Sequence, residues 1–168
     1  MFVGLLTAVI VIALDQLSKY MILHFVLNKA SMLVIAPFFN IVKAWNTGVS
    51  FSMFNDGGKF GVIALSVLAL MIVFFLCKWL RSEKNKLVQV ALGFIIGGAI
   101  GNVIDRLVNG AVFDFLDFYW GSKHWPAFNV ADSFICIGAV VIIAHSLFVT
   151  SKKLNLFTTG LMKIRLYI

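Results

Sequence analysis

The sequence predicts a mainly α integral membrane protein, a bundle of four transmembrane helices with a small β-element on its outer side. Three observations lead there: four long stretches almost free of charge, basic residues gathered on alternate connections, and too much apolar surface for a soluble core. Of 168 residues, 61% are hydrophobic and only 12% charged, with a mean hydropathy of +1.01. A water-soluble domain of this length has too small an interior to hide that much apolar surface, so lipid must cover the remainder. One compact integral membrane domain over 1–168 is therefore expected.

The spans are expected at about 1–26, 61–77, 87–104 and 130–149. Gly61 to Cys77 is uncharged over 17 residues and Leu87 to Ile104 over 18, while Val130 to Val149 carries only Asp132 and His145. A hydrocarbon core of roughly 30 Å needs about 20 helical residues, so all four fit. The first span lacks a basic leader, and Asp15 and Lys19 stand where a small-residue cleavage site would be needed, so it reads as a retained helix. The loop 78–86 and the tail 150–168 hold eight basic residues in 28 positions, against five in 60 for 26–60 and 105–129. That bias puts both termini and the short loop in the cytoplasm and the two long connections outside. The net charge of +7 then reflects anchoring to anionic lipid. A nucleic-acid partner is not expected, because the chain offers no basic, aromatic-interleaved soluble face. Cys77 and Cys136 fall at different depths, on the order of 20 Å apart, too far for a disulfide. Neither a CxxC nor an HExxH spacing suggests a metal, and no cofactor is expected.

Polar residues gather at one depth. Asp15, Lys19, Asn102 and Asp132 all fall toward the outer ends of their spans, although an ionisable residue at a span centre costs about 2.5–3.5 kcal/mol. Asp15 and Lys19 form an i,i+4 pair in the favourable order, read first as a structural bridge. In the third span Gly93, Gly97 and Gly101 make a small-residue stripe for close helix approach, with Gly98, Asn102 and Arg106 beside it. For Asp105 and Arg106 the ordinary reading is a solvated helix end; an arginine at headgroup depth also suits a lipid phosphate. Asn109-Gly110 signals a turn into an alternating strand, "VFDFLDFYW", whose aromatic residues suit the membrane boundary. The stretch Phe38 to Phe54 also alternates and turns at Asn46-Thr47-Gly48; Asn46 is a turn residue by default, and equally able to offer its amide to a site.

Asp114 and Asp132 are the two acids with least structural excuse. Should they face each other in poorly hydrated surroundings, they would share a proton and hydrolyse an amide by general acid–base catalysis, without metal or covalent intermediate. Spacing alone does not establish that they meet.

Five ordered segments bear on this: "DQLSK" (Asp15 to Lys19), "WNTGVSF" (Trp45 to Phe51), "GGAIGNVIDRL" (Gly97 to Leu107), "GAVFDF" (Gly110 to Phe115) and "FNVADS" (Phe128 to Ser133). With them the chain resembles the lipoprotein signal peptidases, or signal peptidase II, bacterial aspartic peptidases with four spans and a small extracytoplasmic β-cradle. The resemblance implies Asp114 and Asp132 as the catalytic pair. It implies Asn46, Asn102, Arg106 and Asn129 as residues lining the site or touching substrate, with Asp15 and Lys19 in support. The implied substrate is a prolipoprotein whose lipobox cysteine carries a diacylglyceryl group, cut just before that cysteine at the outer face of the bacterial inner membrane. A monomer is expected, because the glycine stripe of the third span can pack within one chain and is no evidence for a dimer. Val49 stands where the family often has alanine, and the tail from Lys152 matches no family feature.

Two other classes compete. A small proton-coupled transporter would place its ionisable groups near the midplane and often repeat internally, and neither is seen. A noncatalytic lipid-binding subunit would leave two acids unexplained.

Overall fold

The computed structural model describes residues 1–48 and 58–165, with side-chain surroundings over 1–48 and 60–148. Val49, singled out above, lies outside the described residues. Helix α1 (Phe2–Met21) runs on through a π-helical turn, Ile22–Val26, into strands β1 (Met32–Ala36) and β2 (Phe39–Asn46). Helices α2 (Gly58–Ser82) and α3 (Lys86–Asn109) follow, then β3 (Val112–Trp120), the short β4 (Lys123–His124) and α4 (Val130–Arg165). Among the described residues four helices are long and apolar enough to cross a membrane, and the strands form one antiparallel sheet in the order β1-β2-β3-β4.

Helix α3 is the centre of the bundle: 61% of its most apolar 18-residue window is buried, against 28% for α1 and 11% each for α2 and α4. Its glycines explain why. A Cβ built on Gly97 would stand 2.6 Å from the Ala8 carbonyl oxygen and 2.8 Å from Val11 Cβ of α1. One on Gly98 would stand 2.5 Å from the Ala131 carbonyl oxygen of α4. The stripe read in the sequence therefore seats α1 against α3, and its neighbour seats α4. Toward the end of the bundle where α2 meets α3, Ala8, Val73, Leu80, Val88, Leu92 and Ile96 close an apolar core. At the other end Leu27, Phe113 and Phe115 pack under the sheet. Outward-facing residues such as Val9 of α1, Phe74 of α2 and Val140 of α4 stay exposed, as lipid-facing positions require.

Both ends of α3 are set by local chemistry. The Asn85 side chain accepts the Leu87 and Val88 N–H groups at 2.8 and 3.4 Å, capping the helix start. Gly110 closes the other end in the left-handed conformation (φ 72°), its N–H on the Arg106 carbonyl. The Asn109-Gly110 pair is thus a helix stop rather than a free hairpin turn, and β3 starts two residues later. In α4 the backbone stays helical to Arg165, past the expected span end at Val149. The stretch is free of proline and carries three Leu and three Lys, both good helix formers.

Since neither α1 nor its backbone can yield easily at Gly97, Gly97→Ala is expected to lower stability by about 1–3 kcal/mol through overpacking. Thermal unfolding of the detergent-purified protein measures it; an unchanged midpoint would refute the close-packed seam.

Candidate active site

Helix α4 begins with a reciprocal cap. Asn129, at the N-cap, accepts the Asp132 N–H on its side-chain oxygen at 3.0 Å, and Asp132 Oδ2 accepts the Asn129 N–H at 3.2 Å. This is a capping box with aspartate in the usual glutamate place, and it gives Asp132 a structural role in the first turn that sequence reasoning missed. The pattern Asn-x-x-Asp before an apolar run was the available clue. The other oxygen of Asp132 accepts from Asn102 Nδ2 of α3 at 2.8 Å.

Asp114, on β3, sits within the buried run Ala111–Phe115. Its Oδ1 accepts from Asn129 Nδ2 at 2.7 Å and its Oδ2 from Asn46 Nδ2 at 3.0 Å. Asn46 plays both parts read for it, because its own oxygen takes the Gly48 N–H at 2.8 Å to close the turn after β2. Asn129, fully buried, also donates to Asn102 Oδ1 at 3.1 Å. One carboxamide therefore links the strand acid to the helix acid and to α3. Burial pushes the Asp114 carboxyl up to about 6 and the charge of Asp132 adds to this, while the hydrogen bonds from Asn46 and Asn129 and the charge of Lys19 oppose it.

Beneath this layer lies a second one. Lys19 Nζ is 2.8 Å from Asp15 Oδ2, 2.9 Å from Asp105 Oδ2 and 3.3 Å from Asn102 Oδ1. The expected bridge between Asp15 and Lys19 is present, with Asp105 as an added member. Asp105 is 3% exposed, so it is not a solvated helix end. It accepts Gln16 Nε2 at 2.9 Å and the Phe113 N–H at 3.1 Å. Its side-chain partners, Lys19 and Gln16, come from α1 at the other end of the sequence, which is why local spacing could not find it; Gln16 was missed for the same reason. Arg106 feels the charges of Asp132, Asp114 and Asp105, bonds the Asn102 carbonyl at 3.4 Å, and has a buried Nε without a partner.

Two cavities reach these residues. One of about 300 Å³ is lined by Trp45, Asn46, Thr47, Asp114, Pro126 and Ala127 among others. A second, of about 470 Å³ and mostly apolar, runs along α2 and the end of α3 past Val62, Ile63, Val67, Leu70 and Arg106, with Thr47 also on its wall. All eight residues singled out in the sequence thus fall within one connected polar region or its supporting layer. A paired-acid site beside an apolar groove can hydrolyse a peptide bond presented from lipid.

A family model described as signal peptidase (SPase) II matches residues 7–148. The chain belongs to that family. It is 45% identical over 148 residues to the lipoprotein signal peptidase of Aeromonas hydrophila subsp. hydrophila, covering 87% of this chain and 89% of the relative. The lipoprotein signal peptidase of Paraburkholderia phymatum is 47% identical over 143 residues, 83% and 84% of the two chains. Two bacterial membrane enzyme structures solved by the in meso method, at 2.3 and 1.9 Å resolution, each superpose with a TM-score of 0.74 at 30% identity. They cover 91% and 88% of this chain, and 92% and 94% of their own. Signal peptidase II is a bacterial membrane peptidase family, and nothing in these comparisons supports the transporter alternative.

The raised Asp114 carboxyl carries a sign. Between roughly pH 4 and 6 the folded chain holds a proton that the unfolded chain has released, so this group's stabilisation is complete below that window and lost as pH rises through it. Asp114→Asn, uncharged throughout, should therefore unfold at a higher temperature than the parent above pH 7, with the gap closing toward pH 4. Melting curves across that range test it; a lower midpoint for the variant at pH 7 would contradict the burial argument.

Proposed function

We propose that this signal peptidase II is an aspartic endopeptidase acting on prolipoproteins whose lipobox cysteine bears a diacylglyceryl group, cutting just before that cysteine. The observation that carries the reading is the Asn129 carboxamide held between Asp114 and Asn102, with Asp132 on the same cap. Burial raises the Asp114 carboxyl to about 6, which favours a proton held between the two acids as pH falls toward that value. The ionised partner takes a proton from water as the water oxygen bonds to the scissile carbonyl carbon, and the protonated acid donates to the carbonyl oxygen. Collapse of the tetrahedral species breaks the C–N bond: the departing nitrogen takes a proton from the acid that is now protonated, and the other carboxylate takes the proton of a diol hydroxyl, which returns the pair to its starting state. Asn46 lines the cavity that holds Asp114 and Arg106 the neighbouring apolar one, so the two would hold the peptide on either side of the cut. The apolar groove along α2 supplies remote binding that orients the peptide bond, a use of binding energy away from the reacting atoms.

In this reading 1–168 is one peptidase domain working as a monomer in the cytoplasmic membrane. Both termini and the loop 78–86 lie in the cytoplasm, and the sheet with the acids faces the periplasm or cell exterior. Basic residues on the α2–α3 connection support that orientation.

Asp114→Asn and Asp132→Asn should each abolish cleavage of a diacylglyceryl-modified precursor by the inserted protein, while the parent leaves the unlipidated precursor intact. Cleavage by either variant at the parental rate would remove the pair from the mechanism. For orientation, cysteine placed at Lys123 on a cysteine-free background should react with an impermeant maleimide on whole cells after outer-membrane permeabilisation, and cysteine at Lys84 only after lysis. The opposite pattern would invert the topology.

A further inference from the structure

Each carboxylate of the supporting layer accepts one backbone N–H from beyond its own helix, and both lie beside a reactive acid, while Gln16 Nε2 donates to the Gly101 carbonyl at 3.2 Å. Asp15 Oδ1 accepts the N–H of Ala131 at 2.9 Å, the residue immediately before Asp132. Asp105 Oδ2 accepts the N–H of Phe113 at 3.1 Å, the residue immediately before Asp114. Lys19 Nζ sits between those two carboxylates. Its third contact, Asn102 Oδ1, belongs to the side chain whose Nδ2 holds Asp132 Oδ1. Gln16 Nε2 joins Asp15 and Asp105 a second time, at 3.1 and 2.9 Å.

We propose that Lys19, Asp15 and Asp105 form a positioning clamp that fixes the separation between the Asp114 and Asp132 carboxylates. The inference rests on reading those two acids as the catalytic pair. A buried ion triad is a poor device for stability alone, since apolar residues of like volume often serve as well or better. It is a good device for geometry. Successive Cα atoms are 3.80 Å apart, so an anchored N–H at the preceding residue leaves each acid little freedom to drift. The Ala131 N–H is one of the α4 donors that the helix cannot satisfy itself, and the clamp uses it to tie α4 to α1. The Phe113 N–H ties β3 to α3. One ammonium between the two ties the strand acid to the helix acid, and shifts of about 1 Å at such a pair are enough to cost on the order of a hundredfold in rate. The charged groups acting on Lys19 are Asp15 on α1, Asp105 on α3 and Asp114 on β3, and Arg106 feels the charges of Asp105 and of both reactive acids.

The test uses the full chain in liposomes with a diacylglyceryl-modified peptide, comparing kcat, KM and the pH dependence of kcat. Asp105→Leu, which removes the acceptor at similar volume, and Lys19→Gln should each lower kcat by about a hundredfold with KM unchanged. The two apparent pKa values of the rate profile should also draw together as the acids separate. Asp105→Asn keeps an oxygen for the Phe113 N–H and should recover most of the loss, so it also carries the test if the leucine variant does not fold. Parental kcat and pH profile in Lys19→Gln and Asp105→Leu would overturn the clamp, as would an equal loss in Asp105→Asn and Asp105→Leu. Asp114→Asn runs in parallel: if it cleaves, the catalytic reading falls and the clamp with it; if it is inert while the clamp variants behave as the parent, only the clamp falls.

Discussion

One buried carboxamide organises this molecule. Asn129 starts α4, and each of its side-chain polar atoms has an assigned partner: the oxygen on the Asp132 N–H, the nitrogen on Asp114 and on Asn102. A neutral group that satisfies itself three ways costs little to bury, whereas a charged one in its place would demand a counter-ion. It can therefore stand between two acids without neutralising either. Helix α3, strand β3 and helix α4 follow one another along the chain, and this amide is where all three are joined.

The surrounding bilayer explains the division of labour along the bundle. Lipid offers no partner for a charge, so ionisable side chains in the spans must find theirs inside the protein or at its outer boundary. The chain satisfies this by placing Asp15, Lys19 and Asp105 together in one place and leaving the far end of the bundle to Leu80, Leu92 and Ile96. Asp114 is the exception that function demands. Held at about 6 by burial, it is a group whose ionisation the fold resists, the usual exchange of stability for reactivity at a working site.

Much of this was legible beforehand. Long uncharged runs mark spans because backbone hydrogen bonding in lipid leaves few alternatives, and glycines four apart mark a seam because only hydrogen fits there. The pair Asp15 and Lys19 was visible because it is local, one helical turn apart. What stayed hidden was long-range: Asp105 looked like a solvated helix end until β3 and α1 closed over it, and Gln16 showed no pattern at all. Asp132 misled differently. It looked unexplained because attention went to its charge, while its spacing from Asn129 already described a cap. That the two acids meet through Asn129 could be suggested by family resemblance, but only the folded arrangement supplies the route.

The cap on α4 has a further meaning. Because the side chain that starts this helix is also a member of the polar cluster, the phase of the helix and the aim of the acid are one variable. Each α-helical residue advances about 100° around the axis. An inserted or deleted residue between Asn129 and Asp132 would thus swing the acid out of reach while also unlacing the first turn. In this tetrapeptide a change of length would cost the cap and the placing of the acid together.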